Sequence, residues 1–150
     1  VADSLQIHLR GLDKEGVDTF RYANGDKYVG QFIAGQKQGK GTMHYAGGCK
    51  YDGEWVAGVK VGFGRFVNVD GAVYEGEMKN DDNDGFGTFW MADGDVYEGQ
   101  WKADEKEGRG TYRFADGGVY EGEWTEGERT VAGGRPAALR AAQTTLTLRK

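Results

Sequence analysis

The sequence has one cysteine and one proline in 150 residues. The lone thiol, Cys49, rules out an intrachain disulfide and suits a reducing compartment. With 27 glycines and so little proline the chain is not collagen-like, and 13% aromatic residues set it apart from a disordered glycine linker. No run approaches the ~18–20 apolar residues of a membrane-spanning helix. The two histidines, His8 and His44, show with Cys49 neither metal-ligand spacing nor a triad pattern. The carboxylates are many, but none stands out as half of an acid and base pair. Gln38-Gly39-Lys40-Gly41-Thr42 fails as a phosphate loop, because Gly41 follows Lys40 where Ser or Thr is required. Asn80 to Gly85 fails as a calcium loop, because Met91 falls where a bidentate Glu is needed. These absences predict no enzyme activity, metal, cofactor, small-molecule substrate or nucleic-acid partner. Val1 in place of a methionine suggests a processed chain or a fragment, and no signal segment is expected in it.

Charge is unevenly placed. Residues 1–50 hold seven basic and five acidic groups, residues 51–128 seven and nineteen, and residues 129–150 five and none. The balances of +2, −12 and +5 sum to the net −5. The middle repels phosphates and the tail attracts them.

What the sequence has in abundance is a repeat. Tyr28, Tyr51, Tyr74, Tyr97 and Tyr120 are each 23 residues apart. Behind them follow Gly30, Gly53, Gly76, Gly99 and Gly122, then Phe32, Trp55, Met78, Trp101 and Trp124. Gly-x-Gly pairs come next at Gly39/Gly41, Gly62/Gly64, Gly85/Gly87 and Gly108/Gly110, trailed by Met43, Phe66, Phe89 and Tyr112. Gly47-Gly48, Asp70-Gly71, Asp93-Gly94 and Asp116-Gly117 signal turns. Counting backwards puts Leu5, Ile7 and Leu9 in phase, so residues 5–27 read as a degenerate cap. Full units then run 28–50, 51–73, 74–96 and 97–119, with a partial unit 120–134 and a basic tail 135–150.

Within a unit, Tyr74, Gly76 and Met78 alternate onto one strand face, and Glu75 and Glu77 onto the other. A second strand is expected to start near Gly87, after a loop of Asn80 to Gly85. The glycines leave room for a ring to lie flat on the sheet. At ~4.8 Å per strand, the stacked hairpins give a single antiparallel layer roughly 50 Å long. One face would be an aromatic stripe and the other an acidic ladder, and a single layer is expected to leave part of its stripe uncovered.

The pentapeptides YDGEW (Tyr51 to Trp55), YEGQW (Tyr97 to Trp101) and YEGEW (Tyr120 to Trp124), followed by a spaced Gly-x-Gly, resemble the MORN (membrane occupation and recognition nexus) family. The resemblance covers residues 28–127 closely and 5–27 weakly. It implies an all-β, elongated single-layer sheet of 23-residue hairpins. It also implies a non-catalytic scaffold within a cytoskeletal, ciliary or membrane-associated assembly inside the cell, with no one organelle singled out. A phospholipid-binding module and a regulatory appendage of an enzyme complex are the alternatives. Choline-binding-type repeats share the composition, but their units are nearer ~20 residues.

The expected partner is a helical or extended protein segment lying along the aromatic groove. Its expected contacts are Tyr51, Trp55, Phe66, Tyr74, Phe89, Tyr97, Trp101 and Tyr112. Ala137 to Gln143 is helix-prone after Pro136, and Arg135, Arg140, Arg149 and Lys150 make the tail a second docking arm for an acidic partner or membrane surface.

Overall fold

Period-2 alternation between glycine-bearing turns dictates short paired strands, and that is what forms. The computed structural model describes residues 16–130. The strands are β1 (Gly16–Arg21), β2 (Lys27–Ile33), β3 (Gln36–His44), β4 (Lys50–Val56), β5 (Val59–Val67), β6 (Val73–Lys79), β7 (Asp82–Trp90), β8 (Val96–Lys102), β9 (Glu105–Arg113), β10 (Val119–Thr125) and β11 (Glu128–Arg129). Each hydrogen-bonds to the next in chain order, and all eleven make one antiparallel sheet. There is no helix among the described residues. Leu5, Ile7 and Leu9 of the expected cap, and the whole tail from Arg135, lie outside them.

The hairpin turns are shorter than the composition suggested. β6 ends at Lys79 and β7 begins at Asp82, so Asn80 and Asp81 alone make the turn. Both have positive φ, 51° and 73°, as do Ala34-Gly35, Ala57-Gly58, Ala103-Asp104 and Glu126-Gly127 in the other units. Two consecutive left-handed residues make the type I′ turn, whose twist matches that of paired strands. Gly85 is therefore not in a loop. It sits inside β7 with φ 112°, where the pairing register slips between Gly76/Gly87 and Met78/Asn83. The same slip recurs in β3, β5 and β9. Backbone N–H groups released by these bulges are taken up by the side chain of the neighbouring strand. Gln31 accepts from Lys40 at 3.0 Å, Glu77 from Phe86 and Gln100 from Arg109 at 2.9 Å.

Successive turns are tied together along one edge of the sheet. Gly58 N–H donates to Lys37 C=O at 2.9 Å, Asp81 to Lys60 at 3.2 Å, Asp104 to Asn83 at 3.0 Å and Gly127 to Lys106 at 3.0 Å. Each unit thus fixes its neighbour through local bonds, as expected of a one-dimensional array.

Candidate functional site: the aromatic face

Alternation puts the tyrosines and the large apolar residues four positions after them on one face. The pairing then lays each tyrosine over glycines of its own hairpin. Tyr28 covers Gly30 and Gly41, and Tyr51, Tyr74 and Tyr97 cover the matching pairs in their units. A Cβ at Gly76 would stand 2.5 Å from both the Gly87 Cα and the Tyr74 hydroxyl oxygen, so only glycine fits. The hydroxyl reaches the backbone three residues on. Tyr74 donates to Glu77 C=O at 2.9 Å and Tyr97 to Gln100 C=O at 2.9 Å. The Tyr51 hydroxyl is buried and closes no such hydrogen bond.

The tryptophans couple units. Trp55 Nε1 donates to Gly41 C=O at 3.0 Å and Trp101 Nε1 to Gly87 C=O at 3.1 Å. Each ring stands edge-on between two tyrosines. Trp55 lies 5.5 Å from Tyr28 and 5.2 Å from Tyr51, and Trp101 lies 5.4 Å from Tyr74 and 5.2 Å from Tyr97. Edge-to-face pairs add about 0.5–1.5 kcal/mol each beyond burial.

A lid of cations closes the stripe. Lys37 Nζ lies 3.9 Å from the Trp55 ring centroid, Lys60 5.3 Å from Tyr51, and Lys106 5.0 Å from Trp124. Arg129 lies 5.0 Å from Tyr120. Sequence reasoning passed over this row, although Lys37, Lys60, Lys106 and Arg129 keep the 23-residue phase. Burial lowers Lys37 to about 8 and lowers Lys106 as well. Burial pushes Tyr28 and Tyr45 up to about 12 and raises Tyr51, Tyr74, Tyr97 and Tyr112 too.

Of the eight expected contact residues, seven are therefore covered by the chain itself. Tyr51, Trp55, Phe66, Tyr74, Phe89, Tyr97 and Trp101 are at most 7% exposed. Only Tyr112 remains half-buried, its hydroxyl donating to Asp95 at 2.6 Å. The half-open residues packed on this floor are Phe20, Tyr22, Tyr45, Cys49, Met91, Tyr112 and Tyr120, with Phe114 beside Tyr112. Tyr22, Tyr45, Met91 and Phe114 hold one position of the 23-residue unit, a period-visible row that was overlooked beside the louder Tyr-x-Gly-x-Trp signal.

The opposite face is not purely an acidic ladder. Glu75 pairs with Arg65 at 2.7 Å, and Phe63 and Phe86 stand out from it 58% and 53% exposed. Among the described residues no group of His, Cys, Asp or Glu could hold a metal ion, and no helix is long and apolar enough to cross a membrane.

Comparison with curated proteins finds no match. The family model of the MORN repeat matches residues 28–50, 51–73, 74–96, 97–119 and 120–133. MORN repeats are non-catalytic modules of protein and membrane interaction. The flat glycines, the tyrosines laid over them and the five matched units place this chain in the MORN repeat family.

Proposed function

We propose that the chain is a non-catalytic scaffold that holds a segment of a partner protein along its aromatic face, within a larger cytoskeletal, ciliary or membrane-associated assembly. The observation that carries this reading is the half-open row of Tyr22, Tyr45, Met91 and Phe114 over a fully packed aromatic floor. Tyr51, Trp55, Phe66, Tyr74, Phe89, Tyr97 and Trp101 shape the surface from beneath, and Tyr45, Met91 and Tyr112 offer the contact. Rigid, half-desolvated aromatic side chains of this kind make the anchor points of interfaces. The partner is a helical or extended segment with apolar anchors.

The test is a binding titration with the partner recovered from native complexes. Tyr45→Ala and Tyr112→Ala should each weaken binding by about 2 kcal/mol, as for other aromatic anchors. Phe86→Ala, on the opposite face, should leave it unchanged. The reverse pattern moves the site to the opposite face. Loss of binding only on deleting residues 135–150 moves it to Arg135, Arg140, Arg149 and Lys150.

A second reading, binding of an anionic membrane surface, is favoured by that basic tail. The balance of −12 over residues 51–128 disfavours it for the sheet. The family also supplies a third, a regulatory appendage of an enzyme complex, with this chain as its interaction module.

A further inference from the structure

The face opposite the aromatic floor carries a line of its own. Cross-strand pairing sets Arg21 beside Lys27, Lys27 beside His44 and His44 beside Lys50, one residue from each of β1 to β4. The line runs on through Val67, Val73, Trp90 and Val96, one from each of β5 to β8. Four basic side chains are thus followed by four apolar ones. At ~4.8 Å per strand, each half is roughly 15 Å long. Asp18, the one acid in β1 to β3, pairs with Gly30 and takes the aromatic face, so this face of those strands has no carboxylate. Like charges set side by side weaken a sheet. Burial, then the charges of Lys27 and Lys50, lower the His44 imidazole against the opposing effect of Asp52.

The line is open to solvent where its halves meet. A hollow of about 310 Å³ lies at the Lys50–Val67 pair. Lys40 and Phe63 line it with them, and Asp52 and Glu54 share its wall. Phe63 and Trp90 are both exposed, and large apolar side chains grouped on a surface mark a place of contact. The next row of this face differs. Asp52, Glu75 and Glu98 stand two residues in from Lys50, Val73 and Val96, roughly 7 Å away along the strands. A flat anionic surface would meet both rows, whereas a narrow segment meets one.

We propose that this line docks a segment of a second partner protein, acidic over one stretch and apolar over the next. The acidic stretch lies along Arg21, Lys27 and Lys50. An apolar side chain fills the hollow beside Phe63, and others lie on Val73 and Trp90. Complementary charge fixes the register, because sliding the segment along the line carries its acids onto the apolar half beside Glu75 and Glu98. The site is separate from the aromatic face and stands or falls without it.

The test selects random linear peptides, displayed on phage, on the full chain and counter-selects them on the chain carrying Lys27→Glu and Lys50→Glu. Surviving peptides should hold two or more Asp or Glu beside a run of apolar residues. The charge reversals should weaken a surviving peptide at least about tenfold, and salt should weaken it further on the unchanged chain than on the variant. Lys27→Gln with Lys50→Gln serves where the reversed pair does not fold. Trp90→Ala should cost at least about tenfold as well. A peptide of the same composition with its acids dispersed should lose binding to a similar degree. Tyr45→Ala and Tyr112→Ala, on the aromatic face, should leave the affinity unchanged. No surviving peptide, or peptides indifferent to Trp90 and to dispersal of their acids, would overturn the proposal. So would vesicles of phosphatidylserine and phosphatidylcholine that bind through Lys27 and Lys50 and compete with the peptides. A dimer in sedimentation velocity that Trp90→Ala abolishes would overturn it in favour of a second copy of this chain.

Discussion

The two faces of this sheet are built from alternate residues of the same strands, yet they obey different rules. On the aromatic face, a side chain is fixed by partners in neighbouring strands. Trp101 sits among Tyr74, Phe89 and Tyr97 and bonds to Gly87. On the opposite face, Glu75 makes one ion pair with Arg65 between half-exposed side chains. A ring loses its whole environment when changed, whereas an exposed ion pair is worth little in water. The comparison shows how a single-layer sheet can use one face as its core while the other contributes ion pairs and acceptors for the bulged backbone.

The widest-ranging break of the contrast is pH, because it strikes all the packed tyrosines together. Their folded pKa values are raised above the ordinary 10, so the stability they confer is complete below pH 10 and is lost as pH climbs through the raised values. Lys37 works in the opposite sense. Its folded value of about 8 lies below 10.5, so its contribution to stability grows as pH rises from 8 to 10.5. Thermal melts should therefore hold or rise slightly between pH 8 and 10 and fall steeply above. Lys37→Met should shrink the rise, leaving the part that Lys106 contributes, and keep the fall. A chain still folded with ionised tyrosines would break the burial argument.

Trp101→Ala should cost roughly 3–5 kcal/mol, as large-to-small core changes do. A binding test on that ring would report stability first, which is why the half-open Tyr45 and Tyr112 are the better probes. Gly76→Val follows, at about 3 kcal/mol, because its Cβ meets backbone and not only a movable side chain. Chemical denaturation should rank both far above the opposite face.

Two changes on that opposite face sharpen the comparison. Glu77→Ala should cost about 1 kcal/mol, since Glu77 accepts the Phe86 N–H at the bulge. Glu75→Gln should stay within about 0.5 kcal/mol. Equal melting temperatures for these two would mean that the bulge acceptor is dispensable.

The 23-residue period, the division of residues between faces and the family were all legible in the sequence, because each depends on spacing along the strand. A period of two tells which face a residue takes wherever the backbone is extended. The need for glycine beside each tyrosine was legible for the same reason. What the sequence did not reveal was reach. Whether Tyr74 or Trp101 meets solvent depends on groups brought from other strands: the carbonyl of Gly87, the rings of adjacent units, and, in the sister units, the lysine folded back from the turn. The turn itself was misjudged at Asn80 to Gly85 because a bulge glycine and a loop glycine look alike in sequence. Only cross-strand pairing separates them. Strand pattern is local and could be counted, but burial is collective. The tertiary structure alone decided that the aromatic stripe is a floor and that Tyr22, Tyr45, Met91, Tyr112 and Phe114 are what lies open above it.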